Sequence, residues 1–160
     1  ATAFGCGAMY FKKGDIDKSI EYFDNAIELE QDPIQKSEYC YTAAQVLFSD
    51  KKLSKAKQYA RKAIENNAEY GEPYILIAQM YATSPNWSDE AALNKCTYFA
   101  VIDKLQKAKS VDPNLAEKAN ELISTYSRYT PKDEDLFFIG IKKGDAVTIG
   151  GWIGETTTVR

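Results

Sequence analysis

The chain repeats itself, and that periodicity constrains its fold more than any composition figure. Aromatic or aliphatic residues in matching contexts fall at Tyr10, Leu47, Tyr81 and Tyr126, at intervals of 37, 34 and 45 residues. A period of this length means that each unit is one supersecondary element, unable to bury its apolar face except against its neighbours. The apolar residues around each anchor have helical spacing. Ala44 and Leu47 are followed by Ala56, Ala60 and Ala63; Tyr74, Ala78 and Tyr81 are followed by Val101, Leu105 and Ala108. A further helix follows, marked by Ala119, Leu122, Ile123 and Tyr126.

The first copy carries Gly7-Ala8-Met9-Tyr10, then Gly14-Asp15, Ser19, Phe23 and Ala26, and closes at Asp32-Pro33. This order of G-x2-Y, a small residue four before Phe, and a closing Pro resembles the tetratricopeptide repeat, whose length is about 34 residues. The resemblance covers roughly residues 1–128. It implies an all-α helix-turn-helix solenoid of about three repeats, at 1–33, 37–70 and 71–115, with a capping helix at 116–128. Residues 129–160 form a C-terminal cap with a short helix and a β-hairpin. The pattern departs where Trp and Leu are usual in the first helix: Ala3 and Cys6 stand there in copy one, Cys40 and Ala43 in copy two.

The intervals locate the insertions. Three extra residues fall near Ile34 to Lys36, and eleven fall between about Ala82 and Lys95, where Ser84-Pro85-Asn86 marks a turn. Asn86 or Ser88 is expected to cap a long helix running from about Ser88 to Ser110, roughly 34 Å at 1.5 Å per residue. Paired helices approach closely where one presents Gly or Ala and the other a large side chain. Ala26, Ala63 and Ala108 are the expected close-contact residues, with Tyr10, Phe23, Tyr74 and Tyr81 filling the gaps.

Beyond Tyr126 the helical period stops. Thr130-Pro131 is expected to cap a short helix through about Phe138. Ala146 to Ile149 and Thr156 to Val159 read as two strands joined through Gly150 to Glu155. A lone hairpin is marginal in water, so Val147, Ile149, Trp152 and Val159 are expected to pack on the last helix. The tail Gly150-Gly151-Trp152-Ile153-Gly154 through Arg160 resembles the C-terminus of exported tetratricopeptide proteins of Gram-negative anaerobes. That resemblance implies a periplasmic location, with a cytoplasmic one left open. The start at Ala1, inside a helical pattern, is read as the edge of a fragment or processed product, the C-terminal end of a longer solenoid.

Chemistry is constrained by what is missing. The chain has no histidine, which removes Ser-His-Asp and Cys-His nucleophile pairs, His-ligated metals and an imidazole switch. Cys6, Cys40 and Cys96 are odd in number and form no C-x-x-C pair, so they read as small buried hydrophobes. The glycines from Gly140 to Gly154 spell no phosphate-loop motif, and Asp133-Glu134-Asp135 sits where a helix start favours negative charge. No catalytic residue, metal or cofactor is expected. A net charge of −3 gives no reason to expect nucleic acid, and no apolar run is long enough to insert into a membrane.

Charge is unevenly spread. Residues 1–33 sum to −4 and residues 34–70 to +3. Two readings stay open: complementary faces of stacked repeats, or an anionic partner on the basic set Lys51 to Lys62. In this family, function usually lies on the face lined by the first helix of each pair. By phase, that face carries Phe4, Ala8, Phe11 and Lys12, then Tyr41, Gln45 and Phe48. Farther along it carries Ile75 and Gln79, and finally Asn120, Ser124 and Arg128. Chaperone-binding members hold a terminal carboxylate with a Lys/Asn/Arg clamp; Phe4, Ala8, Tyr41 and Gln45 occupy the corresponding positions, so that activity is not implied. The reading is a non-enzymatic scaffold holding a peptide or protein segment by aromatic contacts and amide hydrogen bonds. The alternative is a structural module of a larger envelope-associated assembly, self-associating through the N-terminal face at Phe4 and Phe11.

Overall fold

The structure is a computed structural model and describes residues 2–160. It is all-α in helix-turn-helix repeats, with one short C-terminal hairpin. The chain divides into two compact units, one reaching to Pro73 and the other spanning Tyr74–Arg160.

The first unit holds α1 (Ala3–Lys12), α2 (Ile16–Leu29), α3 (Pro33–Ser49) and α4 (Leu53–Asn66). Local chemistry fixes the starts of three of them. Thr2 Oγ1 accepts from the Gly5 N–H at 2.9 Å, Asp15 from Lys18 at 3.1 Å, and Asp32 from Ile34 at 3.2 Å, with Pro33 at the first helical position. The turns between paired helices need a left-handed residue. Gly14 takes it between α1 and α2 at φ +81°, and Lys51 between α3 and α4 at φ +60°. α1 meets α2 through the Gly7 backbone, where the buried Ser19 hydroxyl donates to the Gly7 carbonyl at 2.7 Å. α3 meets α4 through alanines: Ala43, Ala44, Ala56, Ala60 and Ala63 are all fully buried.

The second unit contains most of α5 (Glu72–Ala82), then α6 (Ala91–Lys95), α7 (Thr97–Val111), a 3-10 turn at Pro113–Leu115, α8 (Ala116–Ser127) and α9 (Asp133–Phe137). It ends in β1 (Ala146–Thr148) and β2 (Thr156–Thr158), antiparallel with Val147 opposite Thr157. Tyr81, Val101, Leu105, Ala108 and Ile149 are among its fully buried side chains. The close-contact alanines of the repeat phase, Ala26, Ala63 and Ala108, are all buried, as is Phe23.

Four expectations are corrected, the last of them the seat of the hairpin. The long helix over 88–110 is broken into α6 and α7, because Cys96 N bonds to Leu93 O and Phe99 N to Cys96 O, both i→i−3 at 3.0 Å. Neither Asn86 nor Ser88 caps the helix: Glu90 precedes α6 without a side-chain cap, and Asn94 within α6 instead fixes the loop before it, accepting from the Trp87 and Ser88 N–H groups and donating to the Ser88 carbonyl. Thr130 does not cap α9; its hydroxyl donates to the Ser127 carbonyl at 2.8 Å, and Lys132 precedes the helix without a side-chain cap.

The hairpin packs on α7 instead of the last helix. Asp103 of α7 accepts from the Thr157 hydroxyl at 2.6 Å and pairs with Arg160, and Lys104 pairs with Glu155 at 3.0 Å. The insertion covers its other end: a Cβ placed on Gly150 would lie 2.7 Å from the Trp87 ring. Trp87 is itself fixed by its indole N–H donating to Thr97 Oγ1 at 3.1 Å, and Thr97 donates to the Pro85 carbonyl at 2.9 Å. Trp152 meets the buried Tyr81 ring edge-on at 5.4 Å.

Candidate binding face

Two rows of side chains recur at i, i+4 and i+7 on the first helices of the first unit: Phe4, Ala8 and Phe11 on α1, and Tyr41, Gln45 and Phe48 on α3. The rows differ in what they touch. Phe4 is half-buried, stacked on Tyr39 at 4.7 Å between centroids and tilted against Phe23 at 5.4 Å. It therefore ties α1 to α2 and α3. Phe11 is 40% exposed, and Lys12 beside it is exposed.

On α3, Gln45 is exposed, and Tyr41 and Phe48 are half-buried. Tyr41 meets the ring of Tyr70, from the loop after α4, edge-on at 5.4 Å. Burial pushes the Tyr41 hydroxyl up to about 12, with Glu72 adding to the shift. Tyr70 is raised too, first by burial and then by Tyr41 and nearby carboxylates. Both phenols are thus protonated at neutral pH and available as hydrogen-bond donors. Tyr39 and Tyr70 are the members of this face that periodicity did not single out. Tyr39 lies two residues before Tyr41, and Tyr70 lies in a loop with no period to mark it.

The remaining predicted positions lie in the second unit. Gln79 is half-buried on α5, whereas Asn120 and Ser124 are exposed on α8 and Arg128 is exposed just past its end. Asn120 Oδ1 accepts from the Lys109 ammonium at 2.8 Å, so its carbonyl is already engaged.

The opposite charges of the first two repeats face each other across a furrow. Asp17, Glu21, Asp24 and Glu28 recur along α2, and Lys52, just before α4, leads to Lys55, Tyr59 and Lys62 along it. Lys52 lies 3.6 Å from Asp17, and the Tyr59 hydroxyl donates to Asp24 at 2.5 Å. Part of the basic set is therefore satisfied within the unit.

Residues 7–33 and 37–70 match the tetratricopeptide repeat family. These two segments are tetratricopeptide repeats. Each match starts four residues into the first helix of a pair and runs past the end of the second, so the two cover most of the α1–α2 and α3–α4 pairs, including the close approaches at Gly7 and at the α3–α4 alanines. Among solved structures, the chain is similar to the TPR2B domain of yeast Sti1 in a complex with pHsp70, at 18% identity and a TM-score of 0.60, covering 79% of this chain and 94% of that one. It is also similar to the first TPR of Spaghetti (RPAP3) bound to the HSP90 peptide SRMEEVD, at 17% identity and a TM-score of 0.57, covering 79% and 90%. MamA matches at 18% identity and a TM-score of 0.52, over 79% of this chain and 71% of that one. At these identities the likeness is one of fold.

No three His, Cys, Asp or Glu side chains among the described residues group to hold a metal ion, and no described helix is long and apolar enough to cross a membrane. Cys40 and Cys96 are fully buried and Cys6 half-buried. Burial raises both buried thiols, Cys96 to about 11, which keeps them in the unreactive protonated form.

Proposed function

We propose that the chain is a non-enzymatic protein-interaction scaffold, and that its first two repeats hold a peptide or protein segment along the α1–α3 face. The observation that carries this reading is the Tyr41–Tyr70 pair beside the exposed Gln45. Rigid rings with protonated hydroxyls, next to a free amide, provide apolar contact and backbone hydrogen bonding at low entropic cost. Two structures with this fold were solved with a peptide or protein partner, pHsp70 in one and an HSP90 peptide in the other.

The ligand chemistry differs from that of an acidic tail. Phe4, Ala8, Tyr41 and Gln45 place rings and an amide along the face, and Lys12 is the cation among its α1 and α3 positions. An uncharged extended segment suits this lining better than a carboxylate-rich one. The resemblance of the tail to exported proteins supports a periplasmic site of action, which fractionation of the native host tests.

Affinity capture from that host compares wild type with the Tyr41→Ala, Gln45→Ala double variant. The proposal expects loss of the captured partner while the circular dichroism spectrum shows the variant still folded at the capture temperature. Equal capture by both proteins contradicts it.

A further inference from the structure

The most exposed large apolar side chains in the chain adjoin each other at the end of α9. Phe137 is 77% exposed and Phe138 86%, while Leu136 between them and the helix interior is fully buried. Phe137 lines a recess of about 570 Å³, and Leu136 and Ile141 complete its apolar lining. Its rims are charged with opposite sign: Asp133 and Glu134 on the helix, Lys142 and Lys143 on the turn that follows. Asp133 and Lys143 approach to 3.3 Å, but both are about two-thirds exposed, so this pair is weak and free to exchange partners.

An apolar recess with one acidic rim and one basic rim restricts its partner. A uniformly acidic or uniformly basic surface would be repelled by one of the two rims. A surface that presents both signs in reversed order, together with a protruding aromatic ring, satisfies the recess on both sides. The same surface on a second copy has this arrangement when the two-fold axis lies in the contact plane and runs between the acidic and basic rims, since that axis sets each rim against its opposite. The recess is also roomy enough for a phenyl ring, and each copy offers Phe138 as the projecting one.

We infer that the recess lined by Leu136, Phe137 and Ile141 is a self-association surface, filled by Phe138 of a second copy, with each acidic rim against the other copy's Lys142 and Lys143. This surface is distinct from the α1–α3 face and does not depend on what that face binds.

Sedimentation velocity on the full chain, from low micromolar to several hundred micromolar, tests the inference. Wild type is expected to pass from monomer to dimer, and Phe138→Glu to stay monomeric with an unchanged circular dichroism spectrum. Two charge reversals sharpen the test: Lys142→Glu with Lys143→Glu, and Asp133→Lys with Glu134→Lys. Each reversed protein alone is expected to dimerise at least tenfold more weakly, and an equimolar mixture of the two to regain the dimer. Wild type that stays monomeric throughout, a dimer that survives Phe138→Glu, or a mixture that fails to associate each overturns the inference. The recess would then belong to another protein.

Discussion

Gly7 approaches Phe23 so closely that a Cβ at position 7 would lie 2.7 Å from the Phe23 ring. The ring is almost fully buried, and the Ser19 hydroxyl donates to the Gly7 carbonyl in the same contact. Backbone of α1 therefore lies against a side chain of α2 with no room for even a methyl group. Gly7→Ala is expected to destabilise the protein by about 1–3 kcal/mol through overpacking. Phe23→Leu in the same background should recover part of that loss, and a thermal or denaturant double-mutant cycle measures the coupling. Additive effects would show that the two residues do not share the contact.

The turn between α3 and α4 carries strain that its counterpart avoids. Lys51 stands at φ +60°, where the α1–α2 turn has Gly14 at φ +81°. A left-handed conformation costs a non-glycine residue about 1–2 kcal/mol. Lys51→Gly is thus expected to raise stability by about 1 kcal/mol, less some added entropy of the unfolded chain, and Gly14→Lys to lower it. Urea midpoints for the two variants should move in opposite directions.

Alkaline pH should unfold the first unit through its tyrosines. Tyr41 is raised to about 12, chiefly by burial, from an ordinary value of 10. Its folded value lies above its unfolded one, so its contribution to stability is complete below pH 10 and declines as pH rises through 12. Tyrosinate absorbance should show a late-titrating phenol that disappears in Tyr41→Phe. The variant should also lose less stability between pH 10 and 12. An unchanged titration curve would remove Tyr41 from this role.

The hairpin is fastened to α7 through one carboxylate. Asp103 accepts from the Thr157 hydroxyl, whose residue is 3% exposed, and pairs with Arg160. Asp103→Ala leaves a buried hydroxyl without this acceptor, at a cost of about 1–3 kcal/mol. Amide exchange over residues 146–159 is expected to quicken while exchange in α3 and α4 stays as in wild type. Uniform exchange across the chain would mean that the hairpin is not held this way.

Repetition made the helical part legible. Phe23, Ala26, Ala63 and Ala108 are visible because the same small-and-large alternation returns in phase, and each proves to be buried. Trp87 against Gly150 left no such trace, since the insertion and the tail lie far apart in sequence and neither repeats. The seat of the hairpin on α7 is hidden from the sequence for the same reason. Asp103 looks like any helix-surface carboxylate until Thr157 and Arg160 arrive from the other end of the unit. At the binding face, helical phase marks Tyr41, Gln45 and Phe48, but the neighbours that set the face's character, Tyr39 beneath Phe4 and Tyr70 beside Tyr41, are out of phase. Periodicity reports which way a helix faces, not which loop folds over it.

The central claim is that a peptide or protein segment lies along the α1–α3 face. A photo-crosslinking residue at Gln45 on that face, compared with one at Gln58 on the exposed side of α4, tests it most directly. Crosslinking in the native host should yield a discrete partner adduct from position 45 and none from position 58, and Tyr41→Ala should abolish it. Equal adducts from both positions, or an adduct indifferent to Tyr41→Ala, would contradict the claim.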